Sequence, residues 1–116
     1  MRDIRERTFE FAVRVVKLCR ELDKAPGVSR TLGNQLLRAG TSIGSNVEEA
    51  QAGQSKLDFI SKNAIALKEA RECHYWRLLI AANVLPEKRL LELRDEAAEL
   101  AKILAAIIVS AKRPNP

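Results

Sequence analysis

The sequence predicts an all-α protein, an antiparallel up-down-up-down four-helix bundle. Three observations carry that expectation. Apolar residues recur at three- and four-residue spacing through four long segments. The four prolines stand at 26, 86, 114 and 116, outside all of those segments. Ala, Leu, Glu, Lys and Arg dominate while aromatic residues reach only 4%, and those five are strong helix formers. No stretch alternates with the period of a strand, and the chain shows neither a long internal repeat nor a low-complexity segment. At 116 residues the expected organisation is one bundle domain over 1–113 and a short disordered tail at 114–116.

The first helix is expected from Asp3 to Lys24, stopped by Ala25-Pro26-Gly27. Ile4, Thr8, Phe11, Val15, Leu18 and Leu22 form its core stripe. Phe9, Ala12, Val16 and Cys19 form a second stripe, with Val13 adjoining. The second helix is expected from an N-cap at Ser29 to about Ala52, with Gly53 as its stop. Its core stripe is Leu32, Leu36, Ala39, Ile43, Val47 and Ala50. Gly33, Leu37, Gly40 and Gly44 line a neighbouring strip. Each helical glycine costs on the order of 1 kcal/mol against alanine. Three on one side point to the close approach of another helix; a kink around Gly40–Gly44 is the alternative.

The third helix opens at Ser55, with Asp58 in a capping-box-like position, and is expected to run to about Asn83. Leu57, Ile60, Ala64, Leu67, Arg71, His74, Leu78 and Ala81 trace a heptad-like path along it. Pro86 suits the first turn of the fourth helix, which is expected to end near Lys112. Its core stripe is Leu90, Leu93, Ala97, Leu100, Leu104, Ile107 and Ala111, beside a second strip of Leu91, Ala98, Ala105 and Ile108. Four amphipathic helices joined by short turns make an antiparallel bundle. The second apolar strips either serve an oligomer interface or widen a single core. On the first reading Phe9, Val13 and Val16 are the candidate oligomer contacts.

Composition narrows the function. Cys19 and Cys73 lie inside helical patterns and read as small buried hydrophobes of a reducing compartment. No CxxC or Cys/His ligand spacing occurs, so no metal site is expected. The N-terminus alternates charge at once, unlike a signal peptide. The longest uncharged apolar run, Ile103–Ala111, is too short to span a bilayer. The expectation is a cytoplasmic protein with no membrane partner.

A polar set interrupts the two middle helices: Arg38, Ser42, Asn46, Glu49, Lys68, Glu69 and Glu72. Buried charge is costly unless paired. A diiron bundle would need Glu-x-x-His on each of two helices, but the one histidine, His74, follows Glu72 by two residues. No nucleophile or cofactor motif supports another reaction, so the expectation is no enzyme, no catalytic residue and no cofactor. A small hydrolase or metal enzyme carries the least support. The structural reading is an inter-helix network of Arg38, Asn46, Glu49, Lys68, Glu69 and Glu72. In it Glu49, and Glu69 or Glu72, pair with Arg38 or Lys68. His74 is read as a partly buried, satisfied histidine. Tyr75 and Trp76 either stack on a base or anchor a helix interface.

The net charge of +5 and a pI near 9.6 lean toward polyanions. The first helix is the most basic segment, and Arg14, Lys17 and Arg20 are its candidate nucleic-acid contacts. A plain solvated mixed-charge face is the alternative.

The run RAGTSIGSNVEEAQ (38–51), then S-x-x-D-F from Ser55, then ALKEARE-x-x-YW from Ala66, resembles a family of small bacterial four-helix bundle proteins. That family includes proteins encoded in intervening sequences of 23S rRNA genes. The accessory variability proteins of diversity-generating retroelements are similar in fold. The resemblance spans nearly the whole chain and is densest from Arg38 to Trp76. Glu49-Ala50 departs from the Glu-Gly usual there. The resemblance implies a homopentameric ring of bundles, a nucleic-acid role taken from the retroelement relatives, and no enzymatic activity. The expected partners are therefore further copies of the chain and RNA or DNA. The alternative is a protein-interaction module docking a larger enzyme such as a reverse transcriptase.

Overall fold

The structure is a computed structural model and describes residues 3–114. Residues 1–2 lie outside the described residues, as do 115–116 of the tail expected to be disordered. The helices are α1 (Ile4–Leu22), α2 (Val28–Gln51), α3 (Lys56–His74), the one-turn α4 (Leu78–Ala81) and α5 (Glu87–Lys112). The four long ones form an all-α bundle, and the described residues contain no strand. Around the bundle α1 packs on α2, α2 on α3, α3 on α5, and α5 back on α1.

Contacts fix the directions. Thr8, Val15 and Leu22 of α1 face Gly44, Gly40 and Gly33 of α2, so the two helices run oppositely. Arg7, Arg14 and Glu21 pair with Glu96, Glu92 and Arg89 of α5, again in descending order. At the far end Lys56 of α3 donates to the Arg113 carbonyl just beyond α5.

Local chemistry explains the helix ends. Asp3 caps α1 by accepting the Glu6 amide at 2.9 Å. Ser55 caps α3 by accepting the Asp58 amide at 3.0 Å, as the sequence pattern anticipates. Ser29, expected as the cap of α2, does something else. Helix α2 already begins at Val28, and the Ser29 hydroxyl donates to the Leu22 carbonyl at 2.8 Å. It ties the start of α2 to the end of α1. Gly27 precedes it at φ +85°, a conformation that glycine alone adopts cheaply.

The third helix departs most from expectation. It is not continuous to Asn83: α3 ends at His74, residues Tyr75–Arg77 tighten into a 3-10 turn, and α4 follows. Asn83 then takes a left-handed conformation, φ +60°. The Val84 amide donates to the Leu79 carbonyl at 2.8 Å and the Asn83 amide to Ile80 at 3.0 Å. That is the paired closure of a Schellman C-terminus, with Asn in the position glycine usually takes.

The phase of α3 also differs. Its buried face is Asn63, Ala66, Ala70 and Cys73, continued by Trp76 and Leu79. Ala64, Arg71, His74 and Ala81 of the heptad-like path are exposed, and Leu57 is 78% exposed. That path follows the larger apolar residues, whereas the packed face is built from small ones, which lets α3 approach its neighbours closely. Asn63 is buried among them and donates to the Phe59 carbonyl at 3.0 Å. In α5 the last core position belongs to Ile108 and not Ile107, as expected when a 3.6-residue period drifts off a seven-residue repeat.

Candidate functional site

Helix α1 has two distinct flanks. On the α2 side three glycines admit its side chains, at Gly40 and Gly33 at very short range. A Cβ on Gly40 would lie 2.7 and 2.8 Å from the two methyls of Val15; on Gly33 it would lie 3.0 Å from the Leu22 Cβ; on Gly44, 3.4 Å from the Thr8 carbonyl oxygen. The strip is therefore a close-packed seam, and α2 passes through it as one uninterrupted helix. Cys19 belongs to this flank, its thiol donating to the Gly33 carbonyl at 3.3 Å. Burial pushes that thiol up to about 11. Cys73, inside the α3 face, is pushed up to about 12, chiefly by burial and further by the charges of Glu72 and Glu69. Both remain neutral thiols at physiological pH.

Just outside this seam lie the candidate oligomer contacts. Phe9 is 68% exposed, and Val13 and Val16 stand exposed beside it. Phe9 and Ala12 overhang a hollow shared with Thr41, Ser45 and Glu48 of α2.

The α5 side of α1 is charged. Arg7 grips Glu96 with two nitrogens, at 2.6 and 3.1 Å, and both side chains are mostly covered. Those hydrogen bonds hold the guanidinium above its usual range, against the opposing effect of burial. Arg14 approaches Glu92 at 3.5 Å, and Arg89 pairs with Glu21. The charges run +, +, − at seven-residue intervals along α1 and are answered by −, −, + on α5. That reciprocal pattern was the sequence signal for these pairs, readable only once the two helices are set antiparallel. Above the ladder is an open groove lined by Arg14, Lys17, Glu21, Lys88, Arg89 and Glu92. Its cations outnumber its carboxylates. Lys17 and Arg20 are both exposed and neither joins an ion pair among the described residues.

The polar set on the middle helices is only partly drawn together. Arg38 reaches Glu72 at 2.8 Å and Glu69 at 3.3 Å across the α2–α3 seam. Glu69 is only 12% exposed, whereas Arg38 and Glu72 face solvent. The two carboxylates, Glu69 foremost, raise the Arg38 pKa. Asn46 turns back within its own helix, donating to the Ser42 carbonyl at 2.9 Å and hydroxyl at 3.1 Å. Glu49 and Lys68 are exposed and stand apart: neither forms an ion pair or side-chain hydrogen bond among the described residues. The expected pairing of Glu49 is therefore corrected. Its place on α2 turns it to water, where a lone carboxylate costs nothing. His74 is likewise exposed and not half-buried, because the buried face of α3 runs through Ala70 and Cys73 instead. Trp76 is buried, while Tyr75 is 65% exposed.

Among the described residues no group of His, Cys, Asp and Glu is placed to hold a metal ion. No helix among them is long and apolar enough to cross a membrane.

The sequence pattern of the 23S rRNA-intervening sequence proteins matches residues 2–106. A solved structure of a protein of unknown function from Bacteroides thetaiotaomicron VPI-5482, described as of the S23 ribosomal protein family, is 39% identical. It aligns over 91% of this chain and 98% of its own with a TM-score of 0.84. No curated protein matches the chain significantly.

Proposed function

The chain belongs to the 23S rRNA-intervening sequence protein family, and from that premise we propose that it is a non-enzymatic homo-oligomer, a pentameric ring, binding RNA or DNA with low specificity. The observation that carries the reading is the α1–α5 groove, where Arg14, Lys17, Lys88 and Arg89 outnumber Glu21 and Glu92. Salt-bridged arginines still offer free N–H groups to a phosphate, and Lys17 and Lys88 have no ion-pair partner among the described residues. Repeating such a groove around a ring would concentrate a field that each subunit, at +5, holds only weakly. The exposed Phe9, Val13 and Val16 strip supports assembly, since apolar area of that kind is normally covered. Contacts of this sort are to phosphates, so affinity falls with salt and sequence matters little.

The test is titration of a single-stranded and a duplex oligonucleotide at two salt concentrations. Each phosphate neutralised adds roughly 0.7–0.9 to the log–log salt slope. Lys17→Glu and Arg20→Glu each weaken binding and flatten that slope. Absent binding at low salt, or binding indifferent to salt, contradicts the reading.

A second reading, a module that docks a larger protein such as a reverse transcriptase, has its own support. An apolar groove of about 540 Å³ runs between α3 and α5, lined by Phe59, Ile103, Ala106 and Ile107, with exposed Leu57 on α3 and Val109 on α5. Failure of the oligonucleotide titration favours this alternative.

A further inference from the structure

The turn that interrupts the third helix builds a second concavity, away from the charged groove of α1. Residues Tyr75, Arg77, Leu78, Ile80 and Ala81 form one wall, and Glu87 and Arg94 of α5 form the other. Its volume is about 520 Å³, within the range of small-molecule sites. The cleft exists because the 3-10 turn and the left-handed Asn83 carry the chain away from α3 before Pro86 starts α5.

Arg94 is the informative residue. Among the described residues its buried Nε finds no hydrogen-bond partner and the side chain joins no ion pair. A dry guanidinium nitrogen without an acceptor is costly. The other such nitrogen among the described residues is Trp76 Nε1, in the residue between Tyr75 and Arg77. Trp76 lies in the hydrophobic core and not in the cleft lining, so Arg94 is the cleft's own unmet donor.

The lining defines what would fit. Two guanidiniums and one carboxylate leave a net charge of +1, which attracts an anion. Guanidinium geometry favours phosphate or carboxylate oxygens taken two at a time. Leu78, Ile80 and Ala81 offer an apolar bed for a flat ring. Tyr75, 65% exposed, leaves a ring face free for stacking. The Glu87 carboxylate can accept a hydrogen bond from an amino group on the ring edge. We propose that this cleft is a nucleotide site, with Arg94 and Arg77 holding the phosphate, Tyr75 stacking on the base, and Glu87 accepting from its edge. The nucleotide is either free or one unit of a single strand; only the strand case rests on the polyanion reading given above.

The experiment follows the Arg94 Nε–Hε resonance and the backbone amides of 75–87 in ¹⁵N-labelled protein. The probes are adenosine 5′-monophosphate, adenosine, inorganic phosphate, a short single strand and its duplex. The monophosphate is expected to move these resonances more than adenosine or phosphate alone. Tyr75→Ala should weaken it by roughly fivefold to a hundredfold, while Tyr75→Phe, which keeps the ring, changes it by less than about twofold. Arg94→Met should weaken the monophosphate more than adenosine. Shifts with the single strand but not the duplex assign a strand unit; shifts with the monophosphate alone assign a free nucleotide. Resonances that stay still with every probe overturn the proposal, as does Tyr75→Ala binding like the wild type. Lys17→Glu separates the two sites: loss of oligonucleotide binding with the monophosphate shifts intact leaves the cleft standing and places the polyanion contact at α1.

Discussion

On the α2 side of α1, Thr8, Val15 and Leu22 meet three glycines, with room for a methyl gone at Gly40, scarce at Gly33 and ordinary at Gly44. One residue earlier in each repeat, on the α5 side, Arg7, Arg14 and Glu21 meet opposite charges. The two flanks share a seven-residue spacing but hold their neighbours by different physics. The first is a steric fit, unaffected by salt and strained by a single carbon at Gly40. The second is a sign pattern, tolerant of small displacements, weakened by salt and open to competition from another anion. A helix built this way can keep its place in the bundle through one flank while presenting charge on the other.

High pH tests the buried packing most strongly, at Cys19 on the α2 flank and at Cys73 in the α3 face. The Cys19 and Cys73 thiols are held up at about 11 and about 12. From about pH 9 the unfolded chain sheds thiol protons that the folded chain keeps, whereas below pH 9 both states are protonated and nothing is lost. Stability should therefore fall as pH climbs from about 9 toward 11–12, by at most about 1.4 kcal/mol per unit for each thiol. Denaturant midpoints measured across this window check it. A Cys19→Ala, Cys73→Ala protein starts less stable but should show a shallower decline; an identical slope would show that the thiols are not responsible.

The glycine seam yields a graded series. Gly40→Ala must push against a stiff Val15, an overpacking cost of about 1–3 kcal/mol, offset in part by about 1 kcal/mol of helix propensity. Gly33→Ala should cost less. Gly44→Ala meets ordinary contact distance and should be neutral or stabilising by up to about 1 kcal/mol. Urea unfolding of the three variants checks the order 40, 33, 44. The reverse order would mean that the seam is not the tight element described here.

On the charged flank, Glu96→Ala strands a mostly covered Arg7 and should cost about 1–3 kcal/mol. Glu72→Ala should matter less, because Arg38 keeps Glu69 and both Arg38 and Glu72 are in contact with solvent. Added salt should diminish both effects while leaving the glycine series unchanged. Thermal melts at low and high salt read this directly. A glycine series that tracked salt would erase the distinction between the flanks.

The two flanks were unequally legible in the sequence. Glycines inside an otherwise good helix are anomalous, so Gly33, Gly40 and Gly44 announce a close contact before its partner is known. The charged ladder hides because Arg7, Arg14 and Glu21 look like ordinary surface residues until α5 is laid against them. The phase of α3 was obscured for another reason. Apolar periodicity weights leucine and isoleucine, whereas the face that packs is Ala66, Ala70 and Cys73 around Asn63. Nothing in Tyr75–Arg77 marks a 3-10 turn, so the cleft beside Arg94 could not be foreseen. The fold depends on the average pattern of many residues and survives such errors. The polar set depends on single orientations, and there Arg38, Glu69 and Glu72 converge while Glu49 and Lys68 do not.

The account stands on α1 serving both assembly and polyanion binding, and sedimentation velocity with a labelled single-stranded oligonucleotide tests both together. At low salt the oligonucleotide should travel with a particle near five times the 13.0 kDa chain mass. At high salt it should be released while the particle persists, because the apolar strip does not depend on salt. Val16→Glu should break the particle down. A 13.0 kDa species at micromolar concentration, with the oligonucleotide sedimenting free at low salt, would contradict the account.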